Sequence, residues 1–100
     1  MATDRELLEA AAKAAGIDLL RGPYITWDPL ADDGDALRLA VKLELHVICN
    51  PILTDVAFIR EIDGEKTIES FIQMTSKTDP YESTRRAIVR AAAEIGRGMK

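Results

Sequence analysis

The first apolar stripe of the chain has helical spacing and is rich in alanine. It consists of Leu7, Leu8, Ala11, Ala12 and Ala15. Thr3 followed by Glu6 is a capping-box pattern, in which each side chain bonds the other residue's backbone N–H. Gly16 favours the left-handed conformation that commonly ends a helix. The pattern therefore predicts a helix over about residues 4–15.

A strand and a short helix are predicted next. The β-branched and aromatic residues of Tyr24–Trp27 favour a strand, and Asp28-Pro29 closes it because a residue before proline avoids the helical conformation. Whether Ile17–Leu20 forms a separate short strand stays open. A helix over about residues 34–43 follows, with Asp32 or Asp33 as its cap. Its expected buried stripe is Ala36, Leu37, Ala40, Val41 and Leu43.

The second half of the chain predicts three strands and a long helix. The strands are residues 45–49, 56–61 and 67–74, and Asp63-Gly64 between the last two is a strong hairpin signal. Asp79 as cap, Pro80 in the first turn and Glu82 as reciprocal partner open a helix that runs to about residue 95, where Gly96 is a plausible stop. Its apolar stripe is Ala87, Ile88, Ala91, Ala92 and Ile95.

The strands at 45–49 and 56–61 carry apolar residues on both faces. We therefore expect that neither side of the sheet is fully exposed to solvent. Helices on both sides would explain this, and so would one helical layer plus a partner subunit. The expected fold class is α/β, bordering on α+β: one domain over residues 1–100, a three-layer α/β/α sandwich with a mainly antiparallel sheet of about four strands, in the order α-β-α-β-β-β-α.

Composition and charge limit where the protein is expected to function. The chain has 100 residues, a net charge of −4 and one cysteine, Cys49, which fits a reducing cytoplasm. No apolar run approaches the roughly 20 residues of a membrane helix, and the N-terminus lacks the pattern of a signal peptide. A cytoplasmic protein that does not associate with membranes is the default expectation.

No group of residues has the pattern of a catalytic site, a metal-binding site or a cofactor-binding site. Asp28, Asp32, Asp33 and Asp35 are each explained as a turn starter, a helix cap or a first-turn acid that favours the helix dipole. His46 and Cys49 lie three residues apart on one predicted strand, so they point to opposite faces and cannot pair. We therefore expect a protein that is not an enzyme and holds no cofactor.

The last helix is the basic part of an otherwise acidic chain. A stripe that includes Arg86, Arg90 and Arg97, with Arg85 beside it, predicts a possible face for an anion or an acidic partner. A solvated face that complements the helix dipole is the simpler interpretation. No aromatic residues alternate with these arginines, which weakens a single-strand nucleic-acid interpretation.

Three segments resemble small proteins encoded by bacteriophages and prophages. They are Leu7–Ile17, Trp27–Leu43 (Trp-Asp-Pro-Leu followed by Asp-Asp-Gly-Asp-Ala-Leu-Arg-Leu-Ala-Val-Lys-Leu) and Arg85–Gly96; residues 50–78 match no pattern. Together they resemble the phage ABA-sandwich domain family, whose biochemical function is not established. The resemblance implies an accessory protein in the cytoplasm of a bacterial host and assigns no functional residue. We expect a non-catalytic protein-interaction module whose partner is unknown, with homodimerisation possible and a nucleic-acid-associated protein as the alternative.

Overall fold

The computed structural model describes residues 3–22, 26–76 and 78–99. Its elements are α1 (Asp4–Ala15), α2 (Asp33–Lys42), β1 (His46–Cys49), β2 (Leu53–Ile62), β3 (Glu65–Met74) and α3 (Pro80–Arg97). The strands form one antiparallel sheet in the order β1-β2-β3. The expected mixed α/β class with an antiparallel sheet is thereby confirmed. Within the described ranges, no helix combines the length and the apolar character needed to cross a bilayer.

The first helix has the predicted bounds because both of its ends are set locally. The backbone N–H of Glu6 donates to Oγ1 of Thr3 (N···O 3.2 Å), and the N–H of Thr3 donates to Oε1 of Glu6 (3.3 Å), which completes the capping box. Gly16 ends the helix at φ +70°, in the left-handed region. Ile17–Leu20 is not a strand, because Asp18 accepts a hydrogen bond from the N–H of Leu20 and turns the chain.

The expected fourth strand is not present in the described part of the chain. Tyr24 and Ile25 of the predicted Tyr24–Trp27 strand lie outside the described residues, and Thr26 and Trp27 belong to no strand. The hairpin that joins β2 to β3 is confirmed, with Ile62 paired to Glu65 across a two-residue turn. Asp63 and Gly64 both have positive φ (52° and 82°), as a turn that matches the twist of the strands requires.

The second helix buries only part of the predicted stripe: Ala36 and Ala40 are buried as expected. Asp32 is its cap, as one of the two alternatives had it, and Leu39 is buried with a relative exposure of 2%. Leu37 and Val41, both expected in the core, are 64% and 70% exposed. Two overlapping apolar stripes have helical spacing in this segment, so periodicity alone could not choose between them.

The last helix is longer than predicted. It begins at the Asp79 cap, where the N–H of Glu82 donates to Oδ1 of Asp79 (3.1 Å). The reciprocal half of the capping box is absent from the described contacts, since Oγ of Ser76 instead accepts from the N–H of Asp79 (3.2 Å). Gly96, expected as the stop, is a buried residue inside the helix. It contacts the backbone of Ala10 so closely that any side chain there would collide with it.

The described helices all lie on one side of the sheet, which differs from the expected α/β/α layering. Helix α3 packs on β2 and β3, whereas α1 and α2 pack mainly on α3. Helix α3 is therefore the middle layer, and its small side chains allow this close packing on two sides. Those buried on it include Ala87, Ala91, Ala92, Ala93 and Gly96. The other side of the sheet carries no helix in the described ranges.

Candidate functional site

Arg85, whose side chain is only 14% exposed, joins α3 to α2. Its Nη1 lies 2.7 Å from Oδ1 of Asp33, and its Nε donates to the carbonyl oxygen of Leu30 (2.8 Å). The hydrogen bond to Asp33 raises the pKa of Arg85 above its ordinary value. The guanidinium group is therefore charged throughout the neutral range, and it holds the start of α2 against α3.

The other three arginines point to different parts of the protein rather than along one stripe. Nη2 of Arg86 lies 3.2 Å from Oδ1 of Asp4, at the start of α1. Arg90 donates from Nη1 to the carbonyl oxygen of Ile72 on β3 (3.2 Å). Arg97 lies beside a glutamate of its own helix, with an N···O distance of 3.8 Å. The structure therefore does not bring the four arginines together, and their role in anion or partner binding stays a prediction.

The acidic segment at the start of α2 is a network of capping and turn contacts. Oδ2 of Asp32 accepts from the N–H of Asp35 (2.8 Å), and Oδ2 of Asp35 accepts from the N–H of Asp28 (2.9 Å). Oδ1 of Asp28 accepts from the N–H of Leu30 (3.0 Å), as in an Asx turn. The expected structural roles of these carboxylates are confirmed. Over the described ranges, no three His, Cys, Asp or Glu side chains are grouped as a metal ion would need.

His46 and Cys49 point to opposite faces of β1, as predicted. Sγ of Cys49 lies 3.6 Å from Oγ1 of Thr84, on the helix side of the sheet. Oγ1 of Thr84 in turn lies 3.3 Å from Oγ1 of Thr54, a buried residue of β2. Strand alternation places His46 on the same side of the sheet as Ile48, and His46 also borders a cleft near the end of α3. The two residues that could have formed a nucleophile–base pair are separated by the sheet.

A cleft of about 640 Å³ lies where the hairpin extends beyond the end of α3. Arg60 lines it, with its guanidinium carbon 5.6 Å from the centre of the Phe58 ring. Its Nε lies 3.5 Å from Oε1 of Glu69, and its Nη2 lies 3.6 Å from Oε1 of Glu94. The charge of Arg60 is thus shared between two carboxylates of the protein, which join β3 and α3 to β2.

The most unusual surface is the side of the sheet turned away from the helices, which we call the open face. Thr54, Val56 and Phe58 of β2 are buried against the helices, so the alternate positions of β2 and their partners in β1 and β3 form the opposite side. These residues of the open face are His46, Ile48, Leu53, Asp55, Ala57, Ile59, Glu61, Lys66, Ile68, Ser70, Ile72 and Met74.

Four isoleucines dominate the open face and are poorly covered. Ile48, Ile59, Ile68 and Ile72 are between 54% and 75% exposed. Soluble monomers rarely expose large contiguous apolar patches unless these bind something. The sequence signal for this surface was the presence of apolar residues on both faces of the predicted strands. It predicted that both faces would be covered, either by helices or by a partner.

One carboxylate of the open face lies between two of these isoleucines. Asp55 is paired across the strands with Ile48 on one side and Ile72 on the other. Its Oδ1 is shielded from solvent and has no hydrogen-bond partner. Sequence reasoning missed Asp55 because an acid at an alternate strand position is usually an ordinary solvent-facing residue. Only the strand register places it in the middle of an apolar row.

Comparisons of the chain with protein-family models, with curated proteins and with solved structures give no match. The resemblance to the phage ABA-sandwich domain family therefore stays a prediction.

Proposed function

We propose that the protein is a non-catalytic protein-interaction module that binds its partner through the open face. In the setting that the phage resemblance implies, it would act as an accessory protein in the cytoplasm of a bacterial host. The observation that carries the proposal is the exposure of four isoleucine side chains by more than half on one side of a sheet whose other side is packed. Covering such a patch removes apolar area from water, which contributes a favourable free energy of about 25 cal/mol for each Å² buried.

The charged groups elsewhere support this choice because they already have contacts within the chain. Arg85, Arg86 and Arg90 bond other elements, and the aspartates of residues 28–35 cap or turn the backbone. The open face has no such internal explanation. The nucleic-acid alternative has no described contact that favours it, and it remains a prediction for the basic residues of α3.

Site-specific photo-crosslinking in cells that produce the protein tests the proposal. A photoreactive phenylalanine analogue at position 72 lies on the open face, and the same analogue at position 37 lies on α2. Leu37 is a suitable control because it is apolar and somewhat more exposed than Ile72 (64% against 54%), so lower exposure cannot explain a lower yield. We expect protein adducts from position 72 and few from position 37. Equal yields from both positions, or none from position 72, would contradict the proposal.

A further inference from the structure

An occupant of the open face must satisfy Asp55 as well as cover isoleucines. The carboxylate lies between Ile48 and Ile72, and one of its oxygens already lacks both solvent and a hydrogen-bond partner. A purely apolar occupant would bury the rest of the carboxylate without compensation, which is strongly unfavourable. The occupant therefore has to bring a hydrogen-bond donor to the middle of the face.

The chain itself carries a donor of this kind on the same face. His46 is exposed and is paired with Ala57, two positions along β2 from Asp55. An imidazole ring can donate an N–H to a carboxylate in either of its neutral tautomers or when it is charged. Lys66, the other basic residue on this side, is paired with Glu61. It is six residues along β2 from Asp55, which is roughly 20 Å away, and cannot reach it.

We propose that the occupant of the open face is a second copy of this chain, packed face to face about a two-fold axis. In a two-fold interface, if residue i of one copy contacts residue j of the other, residue j also contacts residue i. An axis that passes between Asp55 and His46 brings each Asp55 opposite His46 of the second copy. The two reciprocal pairs supply the missing donor twice, and the surrounding isoleucines supply the apolar contact.

The size of the face sets the strength of this dimer. Two ten-residue strands of about 33 Å and the four-residue β1 of about 13 Å, each about 4.8 Å wide, give a planar area of about 380 Å² per copy. Stable specific interfaces bury about 800 Å² per partner, and smaller ones belong to weak or transient complexes. The dimer is accordingly in exchange with the monomer, and its population rises with concentration.

Sedimentation equilibrium of the full chain tests this inference, which rests on the proposed function. Wild-type protein is compared with His46→Asp, Asp55→His and the double variant that exchanges the two residues. We expect an apparent mass that rises from monomer toward dimer between about 10 µM and about 1 mM. Each single variant should weaken the dimer by at least about tenfold, because it places like groups opposite each other. The double variant should return to within about threefold of wild type.

Each outcome has one interpretation. Circular dichroism of every variant verifies that the substitution has left the fold intact. A wild-type protein that stays monomeric at the highest concentration overturns the second-copy inference, and so does a dimer that neither single variant weakens. Failure of the exchanged variant to recover, with both singles weakened, overturns the Asp55–His46 pairing. A crosslinked adduct at position 72 that contains a different protein would leave the proposed function standing while the second-copy inference fails.

Discussion

Gly96 of α3 and Ala10 of α1 bring the two helices into backbone contact. A Cβ atom at Gly96 would collide with the carbonyl oxygen of Ala10. The expected cost of Gly96→Ala is about 2–3 kcal/mol of unfolding free energy, since two packed backbones have to move apart. Gly98 is the control, because a Cβ there meets its nearest atom at an ordinary 3.5 Å. Denaturant unfolding of both variants decides the matter, and equal stabilities would contradict the close packing.

The buried face of α2 can be tested with two leucines of the same helix. Leu39 is 2% exposed and Leu37 is 64% exposed. Leu39→Ala should lower the unfolding free energy by about 2–4 kcal/mol, whereas Leu37→Ala should cost less than about 1 kcal/mol. Thermal or urea melts of the two variants measure the difference. A larger loss for Leu37→Ala would mean that α2 is rotated from the orientation described.

Removing the cap of α2 should destabilise the protein by the same amount in calcium, in magnesium and in chelator. Oδ2 of Asp32 accepts the N–H of Asp35, so Asp32→Ala should cost about 1 kcal/mol. Melting temperatures of this variant and of wild type, each with calcium, magnesium or a chelator, provide the measurement. If the variant melted above wild type in chelator, the carboxylates would repel one another and a cation-binding role would be favoured instead.

The contact of Arg85 with α2 should contribute more stability than the pairing of Arg97. The Arg85 side chain is only 14% exposed and bonds both Asp33 and the carbonyl oxygen of Leu30. Because Asp33 itself is largely in solvent, Arg85→Ala should cost a moderate amount, about 1–2 kcal/mol. Arg97→Ala should stay within about 0.5 kcal/mol. Urea titrations of the two variants compare them directly, and a loss for Arg85→Ala no greater than that for Arg97→Ala would refute this role.

The parts of the fold that the sequence predicted are those set by neighbouring residues. The capping box of Thr3 and Glu6 fixes the start of α1, and Asp63-Gly64 fixes the hairpin and its register. Such signals need no knowledge of the rest of the chain. They gave the bounds of α1 and the presence of the β2–β3 hairpin correctly, although the two strands continue to Ile62 and from Glu65, closer to the turn than predicted.

The parts that the sequence did not predict depend on contacts between distant residues. Gly96 has the sequence signature of a helix end, and only the approach of Ala10 explains why it lies inside α3. Apolar residues on both faces of β1 and β2 are equally consistent with a sheet covered twice and with a sheet covered once that binds a partner. Asp55 acquired its significance only from the strand register that places Ile48 and Ile72 beside it.

Isoleucine methyl NMR with a soluble paramagnetic agent tests the open face most directly. In a dilute sample, the methyl groups of Ile48, Ile59, Ile68 and Ile72 should be strongly relaxed, and that of the buried Ile88 should be protected. In a concentrated sample, the four open-face signals should become protected while Ile88 stays unchanged. Protection of all four in the dilute sample would contradict the account, because the sheet would then be covered within a single chain.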